Sequence, residues 1–151
     1  MAELILAVGV NAVLGALLWA ILLWKAPRDK FELGGPEGAM REFRAVFPEA
    51  TGTASVSDDN RTALIDLQLD DQIGLLQRQG RRWNARILFP YDISSVRPDP
   101  NGALEITLSD FGWPRASIVF SDTGIRAIWL TRLTSLTALS TYRTSPEVRN
   151  A

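Results

Sequence analysis

Residues 62–89 read TALIDLQLDDQIGLLQRQGRRWNARILF, and this run decides the fold. Ala63, Ile65, Leu67 and Leu69 occupy alternate positions, so they share one face of an extended strand over 62–69. Asp70-Asp71 interrupts the alternation with a residue type that closes turns through its own side chain. A second extended run covers 73–78 and ends at Gly80; a third covers 82–89. Short runs of period two, parted by turn residues, specify antiparallel strands joined as hairpins. An odd-length loop around Gln79-Gly80 puts Ile73, Leu75, Trp83, Ala85, Ile87 and Phe89 on the core face. Arg78, Arg82 and Arg86 then share the opposite face.

The same period extends outward to 53–57, 93–97, 103–109 and 115–120, with Leu104, Ile106 and Leu108 on one face. Asp58-Asp59-Asn60, the stretch 98–102 (PDPNG) and Gly112 before Pro114 supply the breaks. Seven short strands at this spacing give a mainly β chain, built as a small antiparallel barrel or sandwich. Beyond them Ser121 or Asp122 caps a C-terminal α-helix, on which Ile125, Ile128, Trp129, Leu133 and Leu136 are expected to form one apolar stripe. The polar tail 141–151 is expected to be flexible. Ahead of the strands, Ala39, Met40, Phe43 and Phe47 recur at helical spacing, so residues 38–48 read as a short amphipathic helix stopped by Pro48. Such a helix is expected to close one end of the barrel.

Seven strands followed by a helix with a core tryptophan resemble the pleckstrin-homology-like (PH-like) superfold. The resemblance is carried by the hairpin from Gly74 to Arg86, by the run Pro90-Tyr91-Asp92-Ile93-Ser94-Ser95-Val96, which looks like the "PY-x-I-x-x-V" run of bacterial PH-like domains, and by Trp129. It covers residues 51–140 and is one of pattern. It implies that the C-terminal helix plugs an open end of the barrel. The eukaryotic domains make their basic hairpin from the first two strands, whereas two strands precede the one here, so phosphoinositide recognition does not transfer.

The N-terminal portion has another character. Residues 4–24 read LILAVGVNAVLGALLWAILLW, with Asn11 the one strongly polar side chain. As a helix this run is about 31 Å long and matches a bilayer's hydrocarbon core, where only a helix satisfies its own backbone. A cleaved signal peptide would need a basic start and a shorter apolar run; here Glu3 precedes the run and Trp24-Lys25 ends it. Lys25, Arg28 and Lys30 follow the span and no cation precedes it, which places the N-terminus outside and the C-terminal domain in the cytoplasm. Fourteen of the sixteen cations are arginine, a bias that fits a GC-rich genome and hence a bacterial inner membrane. Gly9, Asn11, Ala12, Gly15, Ala16 and Ala20 form a face on which another membrane helix can pack closely. Residues 25–37, with Gly34-Gly35, read as a juxtamembrane linker.

Composition narrows the chemistry. The chain has neither cysteine nor histidine, which excludes disulfides, thiolate nucleophiles, Cys/His metal sites and Ser-His-Asp triads. Asp58-Asp59 and Asp70-Asp71 fall in turns, where aspartate serves local hydrogen bonds. No glycine-rich phosphate loop follows a strand. A net charge of −1 argues against nucleic acid as a partner.

The strongest polar cluster is Arg78, Arg81, Arg82 and Arg86, a candidate contact for an anion or lipid headgroup. Arg82-x-x-x-Arg86 with Asp92-x-Ser94 also resembles the signatures of PilZ domains, which bind cyclic di-GMP, although Arg97 stands where that pattern has glycine. Phe111 and Trp113 flank Gly112 in a turn and are candidate partner contacts. The expectation is a non-catalytic, single-pass interaction or scaffolding protein, an accessory subunit of a membrane complex. Its partners are the lipid bilayer and other membrane subunits or itself, with no cofactor and no small-molecule ligand. The alternative is a sensor that binds an anionic headgroup or cyclic dinucleotide through the arginine face.

Overall fold

The computed structural model describes residues 32–144. The expected span 4–24, its packing residues Gly9, Asn11, Ala12, Gly15, Ala16 and Ala20, the segment 25–31 and the tail from residue 145 lie outside the described residues. The chain divides into two units, 1–32 and 33–151. Among the described residues no helix is long and apolar enough to cross a membrane.

The second unit begins with helix α1, Gly35–Val46. It starts three residues earlier than the periodicity indicated, because Gly34 and Gly35 are a left-handed turn into the helix (φ 66° and 82°) and not a flexible spacer. Pro36 occupies the first turn, and Glu37 and Arg44 sit at the ends that the helix dipole favours for their charges. Phe47 N–H donates to Phe43 O at 2.9 Å as the helix stops before Pro48.

Seven strands follow: β1 (Thr53–Val56), β2 (Thr62–Leu69), β3 (Gln72–Gln79), β4 (Arg82–Leu88), β5 (Ile93–Pro98), β6 (Ala103–Leu108) and β7 (Arg115–Val119). A 3₁₀ turn, Pro90–Asp92, joins β4 to β5. All neighbours are antiparallel, in a four-stranded sheet ordered β1-β2-β3-β4 and a three-stranded sheet ordered β5-β6-β7. Helix α2, Thr123–Thr144, is the last described element, so residues 141–144 of the expected flexible tail are helical.

The register of the β3–β4 hairpin corrects the parity expected from the sequence. Gln79 pairs with Arg82, so the loop is the two-residue turn Gly80-Arg81, and Arg78 pairs with Trp83. Gly74, Leu76, Arg78, Trp83, Ala85 and Ile87 therefore share one face, while Ile73, Leu75, Arg82, Arg86 and Leu88 share the other. Trp83, Ala85 and Ile87 do not lie with Ile73 and Leu75, and Arg78 does not lie with Arg82 and Arg86.

Both faces of the four-stranded sheet are covered. On one, Ala63, Ile65, Leu67 and Leu76 pack against Ala39, Met40 and Phe43 of α1. The first helix thus lies on this sheet's outer face and does not close a barrel end. Leu69, beyond a register shift that leaves Gln68 at φ 59°, is half-exposed at the edge of this core. On the other face Leu64, Ile73, Leu75 and Leu88 meet Ile93, Leu104, Ile106, Leu108, Ala116 and Ile118 of the second sheet. Trp129, Leu133 and Leu136 of α2 complete that core. Ile125 and Ile128, expected on the same stripe, are exposed: Ile128 adjoins Trp129 in sequence and so points about 100° away from it. At the other junction of the sheets, Asp58 N–H donates to Val119 O at 2.9 Å, and the Asp58 carboxylate accepts Ser121 N–H at 2.7 Å.

Candidate interaction surface

Arg86 organises a polar cluster that links elements distant in sequence. It stands on β4, and its guanidinium reaches two carboxylates, Asp110 Oδ2 at 2.6 Å and Asp92 Oδ1 at 3.4 Å. Asp92 ends the 3₁₀ turn, and its other oxygen accepts Phe89 N–H at 2.9 Å. Asp110 opens the β6–β7 turn, and its Oδ1 accepts Gly112 N–H at 2.8 Å. One arginine of the first sheet thus fixes both the connection between the sheets and a turn within the second.

The same turn is held from its far side. Trp113 is half-buried against the inter-sheet core, and its indole N–H donates to Gln77 Oε1 on β3. Ser109 ties the turn to the 3₁₀ segment: its N–H donates to Asp92 O at 2.9 Å and its hydroxyl to Tyr91 O at 3.2 Å. Between these anchors Phe111 is fully exposed. Tyr91, on the neighbouring loop, is 64% exposed and stacks on Phe89 with ring centroids 5.5 Å apart. Two aromatic side chains are therefore presented to solvent on backbone that its own hydrogen bonds hold in place.

Of the two residues singled out in this turn, Trp113 folds back and Phe111 faces outward. Tyr91 was not anticipated as part of the surface. Asp110-Phe111-Gly112, an aspartate two residues before a glycine, is the sequence signal that locates the turn, since aspartate bonds to a backbone amide two residues on. Arg78 lies on the α1 side, where its Nε donates to Gly80 O at 3.0 Å. Arg81 sits in the hairpin turn and Arg82 is exposed on the same face as Arg86. The four arginines are thus divided between two faces and a turn, and the guanidinium of Arg86 is engaged by aspartates. Asp59 accepts Arg61 N–H at 3.0 Å within its own turn, and Asp70 lies 3.8 Å from Arg132 of α2. An apolar cleft of about 380 Å³ opens beside the end of α1, lined by Val46, Phe47, Leu67, Leu69 and Ile87 among others.

The Gly112 N–H and then the Arg86 guanidinium hold the Asp110 carboxyl below the ordinary aspartate value. The ionised form is the one that accepts these bonds. The hold on the turn is therefore complete above the ordinary value and is lost as pH falls through the depressed one. Arg86→Met is expected to shift that loss to higher pH and to speed exchange of the Gly112 amide severalfold at neutral pH. Amide exchange followed by NMR measures both, and an unchanged profile in the variant would show that the turn does not depend on Arg86.

No protein-family model, no curated protein and no solved structure matches the chain.

Proposed function

We propose that the chain is a non-catalytic, single-pass interaction protein, an accessory subunit that carries a PH-like domain on the cytoplasmic side of a membrane complex. The apolar run 4–24, followed at once by Lys25, Arg28 and Lys30, supports the anchor and its orientation. Sheets of four and three antiparallel strands followed by a helix with buried Trp129 support the PH-like reading of the domain.

The observation that carries the interaction reading is Phe111, fully exposed on a turn fastened at Asp110 and at Trp113. An apolar ring in water gains by being covered, and a turn already ordered loses little conformational entropy when a partner covers it. Aromatic side chains in such settings dominate interface energetics. With Arg86 in an ion pair and Arg78 on the far face, the three-arginine face of the anion-sensing alternative reduces to Arg82 beside an engaged Arg86, which favours the interaction reading.

The test is purification of the tagged full-length chain from its own membranes in mild detergent. A specific polypeptide is expected to accompany it, and Phe111→Ala is expected to reduce that polypeptide at least tenfold, the loss of a binding hot spot. Recovery without any other polypeptide would sink the interaction reading. Release of the chain from membranes by alkaline carbonate would sink the anchor.

A further inference from the structure

The outward side of α2 carries no charge. Gly124, Ala127, Thr131, Ser135 and Ala138 run along its middle, and Ile128 and Leu139 lie on one flank. All are exposed, Ile128 by 68%. The helix has no acidic residue. Two of its arginines are drawn onto their own domain: Arg126 donates to Gly102 O at 3.3 Å, and Arg132 donates to Leu69 O beside Asp66 and Asp70. The Thr134 hydroxyl is used internally, donating to Leu130 O at 2.7 Å. A helix lying on a domain surface ordinarily shows charged and polar side chains to water. This one shows a neutral strip of small and aliphatic groups, about 24 Å long.

We infer that the strip is a self-association surface, on which α2 of a second copy packs antiparallel about a two-fold axis beside Thr131. The pattern of side-chain sizes is self-complementary about that point. In such a pair Ile128 of each copy lies opposite Ser135 of the other, and Leu139 opposite Gly124, so every bulky side chain meets a small one and the backbones can approach. Neutrality favours the same occupant: two copies meet without like-charge repulsion and without burying an ion, whereas a partner recognised by charge finds nothing here to pair with.

The strip's extent fixes the strength. At about 24 Å by 10 Å it offers a few hundred Å² per copy, below the roughly 800 Å² per partner of a standard stable interface. The dimer is therefore reversible and depends on local concentration. It does not rest on the proposed function, because the aromatic turn and α2 are separate elements.

The chain has no cysteine, so a single introduced thiol reports one position. Full-length Thr131→Cys, oxidised in whichever fraction holds the protein, membrane or soluble, is expected to give a disulfide-linked dimer. The yield should exceed that of Ala138→Cys at least tenfold, because the two copies of residue 138 lie about 20 Å apart in this pairing. Adding Ile128→Glu to Thr131→Cys should cut the yield at least tenfold while circular dichroism stays unchanged, since Ile128 takes no part in the core. The inference is overturned if Thr131→Cys dimerises no more than Ala138→Cys, if Ile128→Glu leaves the yield intact, or if the thiol couples to a different polypeptide.

Discussion

Trp129→Ala is expected to reduce the free energy of unfolding by about 3–5 kcal/mol. Trp129 is buried where α2 meets both sheets, in one cluster with Leu64 and Leu75 of the first and Leu104 and Ile118 of the second. Removing the indole opens a void in a core that the helix and both sheets share, and close-packed layers cannot collapse into it without giving up other contacts. A domain of this size has about 5–15 kcal/mol to lose. In urea the midpoint should fall while the slope stays constant, since the surface exposed on unfolding scarcely changes. A loss below about 1 kcal/mol, the range of a mild surface change, would mean that the helix is not packed into the junction of the sheets.

Gly74→Ala should cost about 1–3 kcal/mol, although alanine is the smallest possible addition. Gly74 lies in β3 directly beneath α1, and a Cβ there would fall 2.8 Å from Phe43 Cζ and 2.9 Å from Ile65 Cβ. Phe43 is fully buried and cannot swing aside. Phe43→Ala alone should cost about 3–5 kcal/mol. In the double variant the added methyl group enters the space that the ring has left, so the pair should be less destabilised than the sum of the two, by about 0.5–3 kcal/mol. Strict additivity in a urea double-mutant cycle would show that ring and glycine do not meet.

The strands were legible in the sequence because two signals agree at each of them. In β6, Leu104, Ile106 and Leu108 alternate with Glu105 and Thr107 between turns rich in proline, glycine and aspartate, and the strand begins and ends within a residue of its expected limits. The pairing of β3 with β4 was not legible for a physical reason. The run Ile73-Gly74-Leu75-Leu76 is buried on both faces, so no polar residue marks which side is in, and the parity of the turn cannot be read from the pattern. That choice sends Arg78 to one side and Arg82 and Arg86 to the other.

The outer stripe of α2 was misread from the same kind of ambiguity. A helix with no acidic residue and few charges gives no polar side from which to orient the apolar one, and Ile128 looks as buried as Trp129. The clamp on Phe111 joins Arg86 to Asp110, 24 positions apart, and no local rule pairs them. Gly34-Gly35 has the composition of a linker, and only its left-handed backbone reveals a helix start.

The first described core residue is Leu33, and the chain passes directly from it into α1. That helix is held by the buried side chains of Ala39, Met40 and Phe43, and among the described residues no backbone hydrogen bond joins it to the sheet. The strands beneath are laced by ladders of such bonds. A tug arriving from the N-terminal side would therefore strip the helix from its seat while the seven strands stayed whole. Under load α1 would act as a mechanical fuse, and its release would bare the outer face of the four-stranded sheet.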